Sequence, residues 1–170
     1  MKDFIPHQVV DYYNPVSLIE GDTIVSEGNL SCLCSCTSFT VQHWGETRKG
    51  ILGQVELIAT GENGVGMSLS CQKCGTSLTL FDSETDGYDV VVRGVTSSTK
   101  NTLKKLETLS CPKCFNKQFH VKVKYEHLPK TETDVVGLLD SKNAFQWIWV
   151  SLECNSCSKK FRNFIDHETG

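Results

Sequence analysis

Alternating apolar and polar residues indicate that this chain is built mainly from β-strands. From 119 to 125, aromatic and β-branched side chains alternate with one histidine and two lysines, which is typical of a strand with one buried face. The same pattern predicts strands at 39–41 and 54–58. The fold class that we expect is therefore mainly β with short helices.

A second apolar strand is expected just before the last cysteines. We expect Phe145, Trp147 and Trp149 to lie on one face of this strand. Ile148 and Val150 then fall on the other face, so both faces are apolar. Such a strand is central in a sheet, or is covered by the other half of the chain, by the N-terminal segment or by a partner.

Short helices are indicated at two places. Leucines recur at three-residue intervals from Leu103 to Leu109, after a polar stretch at 96–101, which predicts a linker or a short helix. The second candidate helix is 131–139, which Gly137 interrupts.

Nine cysteines carry the candidate chemistry, and eight of them form four short pairs. The pairs are Cys32-x-Cys34, Cys71-x-x-Cys74, Cys111-x-x-Cys114 and Cys154-x-x-Cys157. Two thiolates at this spacing converge on one ion across a tight turn, and two such turns supply a tetrahedral Cys₄ site. We therefore expect two structural Zn²⁺ ions. Cys36 is the cysteine left over.

The cysteine pairs recur in context, which indicates an internal duplication. Residues 68–74 recur at 151–157, and the segment 34–41 matches 114–121. If each copy is self-contained, the first site is Cys32, Cys34, Cys71 and Cys74, and the second is Cys111, Cys114, Cys154 and Cys157. The alternatives are an interleaved pairing and Cys36 in place of Cys32. We expect an N-terminal segment at 1–29, zinc units at 30–95 and 109–170, and a linker or short helix at 96–108.

These residues resemble the zinc ribbons, in which two knuckles at the ends of β-hairpins clamp one structural zinc. The first copy is similar to small bacterial proteins with Cys-x-Cys, a Phe-x-Val strand, Cys-x-x-Cys-Gly, Phe-Asp and Asp-Gly-Tyr, here Cys32 to Tyr88. The resemblance implies a duplicated β-ribbon fold and a metal, and it implies no reaction. Gly75 follows the second knuckle as in the ribbons, whereas Phe115 and Ser158 stand at that position in the second unit. We therefore expect looser or differently turned knuckles there.

The charge is distributed unevenly around a net value of −3. Residues 1–97 hold 5 Lys and Arg against 12 Asp and Glu, 98–130 hold 8 against 2, and 131–170 hold 4 against 6. Because four thiolates outweigh one Zn²⁺ by two charges, loading both sites takes the net charge from −3 to about −7. The metal-loaded chain is acidic with one basic segment.

We expect a reducing, cytoplasmic location, because the start of the chain has no signal-peptide pattern and no apolar run approaches membrane-spanning length. Catalysis is not expected, since four Cys fill each site and the five His are scattered. The leading function is a bacterial protein-interaction module, in one version a neutralising or immunity-type protein that covers a basic partner. Its anchors are Trp147 and Trp149.

The alternative function is nucleic-acid binding by the basic segment 100–124. Lysines interleaved with aromatic residues are typical of such a surface. The candidate lysines are Lys104, Lys105, Lys122 and Lys124. A solvated face in front of core aromatics is the competing interpretation.

Overall fold

The eleven strands of the described chain belong to one open sheet, so the prediction of a mainly β fold is confirmed. The structure is a computed structural model that describes residues 4–50, 54–59, 64–94, 104–128 and 143–169. The elements are β1 (Tyr13–Glu20), β2 (Ile24–Leu30), β3 (Phe39–Trp44), β4 (Glu46–Lys49), β5 (Val55–Ile58), β6 (Gly66–Cys71), β7 (Ser77–Asp82), α1 (Tyr88–Arg93), β8 (Glu107–Thr108), β9 (Gln118–His127), β10 (Phe145–Cys154) and β11 (Lys160–Glu168). The candidate helix at 131–139 lies outside the described residues.

Six neighbouring strands have the order β7-β6-β3-β9-β10-β11. The first half of the chain supplies β3, β6 and β7, and the second half supplies β9, β10 and β11 in the mirrored order. Strands β3 and β9 meet antiparallel, with Phe39 opposite Phe119. Within each half the register is the same, because Phe39 faces Cys71 as Phe119 faces Cys154. Two three-stranded meanders are therefore arranged about an approximate two-fold axis.

The strands that precede the first and third cysteine pairs cross to the opposite half. β2 pairs with β9, and β8 pairs with β3. The short helix considered from Leu103 to Leu109 is wrong over the described residues, since 104–106 have no regular structure and 107–108 form β8. The edge of β3 that faces away from β6 explains this difference. Beyond its short pairing with β9, this edge offers backbone groups to residues 107–109, and the Leu109 amide donates to the Val41 carbonyl at 2.9 Å.

The N-terminal residues join the same sheet through the β1–β2 hairpin. Ahead of this hairpin, Ile5 and Val9 are buried in the common core. The Tyr13 ring of β1 lies 6.5 Å from the Tyr125 ring of β9. The segment therefore closes over the second half of the molecule.

The sheet curves so that its distant strands share one core. The Phe81 ring of β7 lies 6.0 Å from the Phe145 ring of β10, although three strands lie between them in the sheet. β10 runs between β9 and β11, so it is central as predicted. The expected face assignment is wrong for Phe145: it is buried with Ile148, because the register of β10 shifts between Phe145 and Trp147. No described helix has the length and apolarity needed to cross a membrane.

Candidate metal centres

Eight cysteines converge in two groups of four, and each group could hold a metal ion. Within each group all sulfur atoms lie within 4.8 Å of one another. In the first group the sulfurs of Cys32 and Cys74 are 3.4 Å apart and those of Cys34 and Cys71 are 3.5 Å apart. In the second group the sulfurs of Cys111 and Cys157 are 3.6 Å apart, and those of Cys114 and Cys154 are 3.5 Å apart. The grouping follows the order of the two halves.

The donor set and its spacing fit zinc. Thiolates about 2.3 Å from a tetrahedral Zn²⁺ lie about 3.8 Å from one another. The closest sulfur pairs, at 3.4 to 3.6 Å, require only a small adjustment to reach that separation. The first cysteine of every pair is buried, so each site is anchored in the core.

Cys36 stands outside the first group. Its sulfur points to the Ser38 carbonyl at 3.5 Å, and the group of four contains Cys32 instead. The Cys36 carbonyl accepts a hydrogen bond from the Cys32 amide at 2.7 Å. This residue therefore helps to close the first turn through its backbone.

All four cysteine turns have the same backbone design. The residue after the second cysteine has a positive φ in every case, at Ser35 (65°), Gly75 (73°), Phe115 (60°) and Ser158 (56°). In the three Cys-x-x-Cys turns, the amide of this residue donates to the carbonyl of the first cysteine, at 2.8 to 3.0 Å. The expectation of looser knuckles in the second half is thus wrong, because the hydrogen bonds of the turn hold non-glycine residues in the left-handed conformation.

A buried leucine two residues before the first cysteine of each pair is a signal that the sequence reasoning missed. These leucines are Leu30, Leu69, Leu109 and Leu152, with exposed fractions of 1%, 0%, 7% and 2%. The pattern Leu-x-Cys can be found in the sequence at all four pairs. Each leucine anchors the strand end that carries the turn, so the sulfur positions depend on the core.

Local hydrogen bonds favour the ionised form of at least one thiol in each group. Bonds from the Thr76 hydroxyl and amide lower the pKa of Cys74 to about 6. Burial raises the pKa of Cys154, but bonds from the Cys157 amide and the Asn116 side chain outweigh it, so that pKa is about 6. In each group another thiol favours the neutral form: despite backbone hydrogen bonds to their sulfurs, burial and the neighbouring thiols raise the pKa of Cys32 and of Cys157 to about 12. Zinc binds thiolate, so filling either site also requires the loss of these protons.

The four lysines of the predicted nucleic-acid surface all have partners within the protein. Lys104 pairs with Asp82 and Glu84 and lies 4.9 Å from the centre of the Trp44 ring. Lys105 pairs with Glu107 at 3.1 Å, and Lys122 with Glu27 at 2.8 Å. Lys124 lies 3.5 Å above the Trp149 ring. The structure therefore distributes these charges among carboxylates and rings.

Trp147 and Trp149 form a stacked, half-buried pair on the solvent side of β10. Their ring centres are 5.5 Å apart with an angle of 11° between the planes. The Trp147 indole N–H donates to Asp166 at 2.7 Å. The predicted anchors thus lie together on one face.

Comparisons with known proteins give no match: no family model, no curated protein and no solved structure matches this chain significantly.

Proposed function

We propose that this chain is a non-enzymatic zinc-binding protein of two tandem zinc-ribbon units, resident in the reducing cytoplasm. Each unit contributes one Cys₄ site to the shared sheet. The equal register of β3-β6 and β9-β10 supports a duplicated unit, as does the equal register of β6-β7 and β10-β11 next to the cysteine turns. Beyond the bulge the second pair differs by one residue. The four Leu-x-Cys anchors support it as well.

The observation that carries this proposal is the closure of both cysteine groups by four thiols each. A catalytic zinc keeps a position open for water or substrate, whereas a structural zinc has four protein ligands. In a metal-loaded molecule these cysteines would hold the strand ends together. Structural zinc sites in peptides contribute on the order of 10 to 16 kcal/mol near neutral pH.

We further propose that the zinc-held sheet serves as a protein-interaction module. Support comes from the Trp147–Trp149 pair, since half-exposed tryptophans supply much of the binding energy at protein interfaces. A neutralising or immunity-type role is one version of this proposal. The pairing of Lys104, Lys105 and Lys122 with carboxylates favours the protein-binding proposal over the nucleic-acid alternative, because paired lysines have less charge to offer phosphates.

Cobalt exchange combined with single cysteine changes tests the ligation. The cobalt-loaded protein should absorb in the visible and near-ultraviolet ranges as a tetrahedral thiolate complex. Cys32→Ser and Cys154→Ser should each bind one ion fewer than the wild type. Cys36→Ser is the matched control and should retain both ions. Loss of an ion in Cys36→Ser but not in Cys32→Ser would move the ligand to Cys36.

A further inference from the structure

The tryptophan face is the surface that carries an inference beyond the metal sites. We define it as the solvent side of β9, β10 and β11 around Trp147 and Trp149. Side chains directly opposite each other on neighbouring strands share a face and lie about 5 Å apart at Cβ. Around Trp149 these neighbours are Lys124 and Asp166.

Within the protein, Trp149 already binds a cation. The Lys124 ammonium lies 3.5 Å from the centre of its ring, well within the range at which a cation is attracted to an indole face. This contact satisfies the aromatic surface of Trp149 with a positive charge from the neighbouring strand. It also shows that the stacked pair accommodates a cation on an indole face.

Trp147 has the complementary surroundings, with carboxylates on both sides. Glu126 of β9 and Glu168 of β11 lie directly opposite it, and Asp166 accepts its indole N–H at 2.7 Å. Among the described residues, neither Glu126 nor Glu168 forms an ion pair. An indole bordered by carboxylates is a surface that recognises ammonium or guanidinium groups.

We infer that the tryptophan face binds a basic segment of a protein partner and places an arginine or lysine side chain on Trp147 between Glu126 and Glu168. This inference rests on the proposed interaction function and specifies the chemistry of the partner. The net charge of −3, more negative with zinc bound, adds long-range attraction for a basic chain. The same field repels nucleic acid.

Indole N–H signals in nitrogen-15 NMR test this inference on the zinc-loaded full chain. The chain has three tryptophans, and Trp44 is buried away from the face, so its signal is an internal control. The probes are a peptide of alternating arginine and glycine, a matched glutamate–glycine peptide and single-stranded oligothymidylate. We expect the arginine peptide to shift the Trp147 signal most and leave the Trp44 signal in place.

Matched variants locate the binding site. Glu126→Gln combined with Glu168→Gln should weaken binding of the arginine peptide about fivefold, since exposed charge pairs contribute modestly. Glu46→Gln is the control, because Glu46 is an exposed glutamate on β4, and it should bind as the wild type does. Zinc is measured in every sample, so that loss of the scaffold is distinguished from loss of the binding site.

Three results would overturn the inference while leaving the zinc scaffold intact. They are equal binding of the two peptides, unchanged binding by the double variant, and a Trp147 shift with oligothymidylate alone. The last would identify a nucleic-acid surface. A wild-type sample without zinc would instead contradict the proposed function.

Discussion

The residue after each pair of cysteines is where the backbone is most constrained. Gly75 occupies the left-handed region without a Cβ, while Phe115 and Ser158 occupy it with one. L-residues adopt this region at a cost of about 1 to 2 kcal/mol. The hydrogen bonds of each turn, together with a bound metal, would offset that cost.

At these positions, replacing glycine by alanine should lower the stability of the protein, and replacing a non-glycine residue by glycine should raise it. Gly75→Ala should destabilise the protein by about 1 kcal/mol, because the added Cβ meets nothing within 4 Å and only the backbone conformation is affected. Ser158→Gly should stabilise it by about 0.5 kcal/mol. Urea unfolding of the zinc-loaded variants measures both. Equal effects of the same sign would contradict the shared turn design.

His127 should make stability depend on pH. Burial lowers its pKa to about 4, although its Nε2–H donates to the Phe4 carbonyl at 2.9 Å. The unfolded chain, with a His pKa of about 6.5, binds the proton more readily. The stabilising contribution of neutral His127 is therefore complete above about pH 6.5 and decreases as the pH falls towards 4, by about 3 kcal/mol in all.

The pH prediction is tested by comparing the wild type with His127→Gln, which keeps an N–H donor. Unfolding free energies from pH 7 to pH 4 should fall more steeply for the wild type. Loss of zinc in acid is common to both proteins and cancels in the difference. Parallel curves would show that His127 does not titrate as described.

At the scale of elements, each cysteine turn depends on the strand that carries it. The buried leucine two residues before each first cysteine fixes that strand end in the core. Turn and strand therefore form one packed unit, and a change in the core should alter the positions of the cysteine sulfurs.

Truncating one of these leucines should destabilise the protein strongly. Leu152→Ala should cost about 2 to 5 kcal/mol, because Leu152 is 2% exposed and its removal leaves a cavity. Leu33→Ala is the matched control, since Leu33 lies within the first turn and is 69% exposed. Thermal unfolding at saturating zinc measures both. Similar losses in the two variants would contradict the anchoring role.

Much of the local structure could be predicted from the sequence. Alternation located β9, β10 and β5, and the Cys spacing located the turns, because both signals depend on neighbouring residues. The crossing of β2 to β9 and of β8 to β3 was not predictable, since it depends on how the two halves meet. The position of Phe145 was missed for a similar reason: a register shift in β10 changes the face of every residue beyond it.

At the scale of the whole molecule, the two cysteine groups belong to one sheet, and β3 and β9 join its two halves. The curvature of the sheet brings Phe81 against Phe145, so the core is shared. Two bound ions would thus fix the ends of central strands rather than separate, independent modules. We therefore expect the folded chain to hold two zinc ions.

Native mass spectrometry of the full chain, purified under reducing conditions without added chelator, tests that central claim most directly. We predict one species whose mass equals the chain plus two zinc ions, with all cysteines outside disulfides. Denaturation in acid should release both ions and return the mass of the fully reduced chain. A species with one or no metal, or a mass that reveals disulfides, would contradict the account.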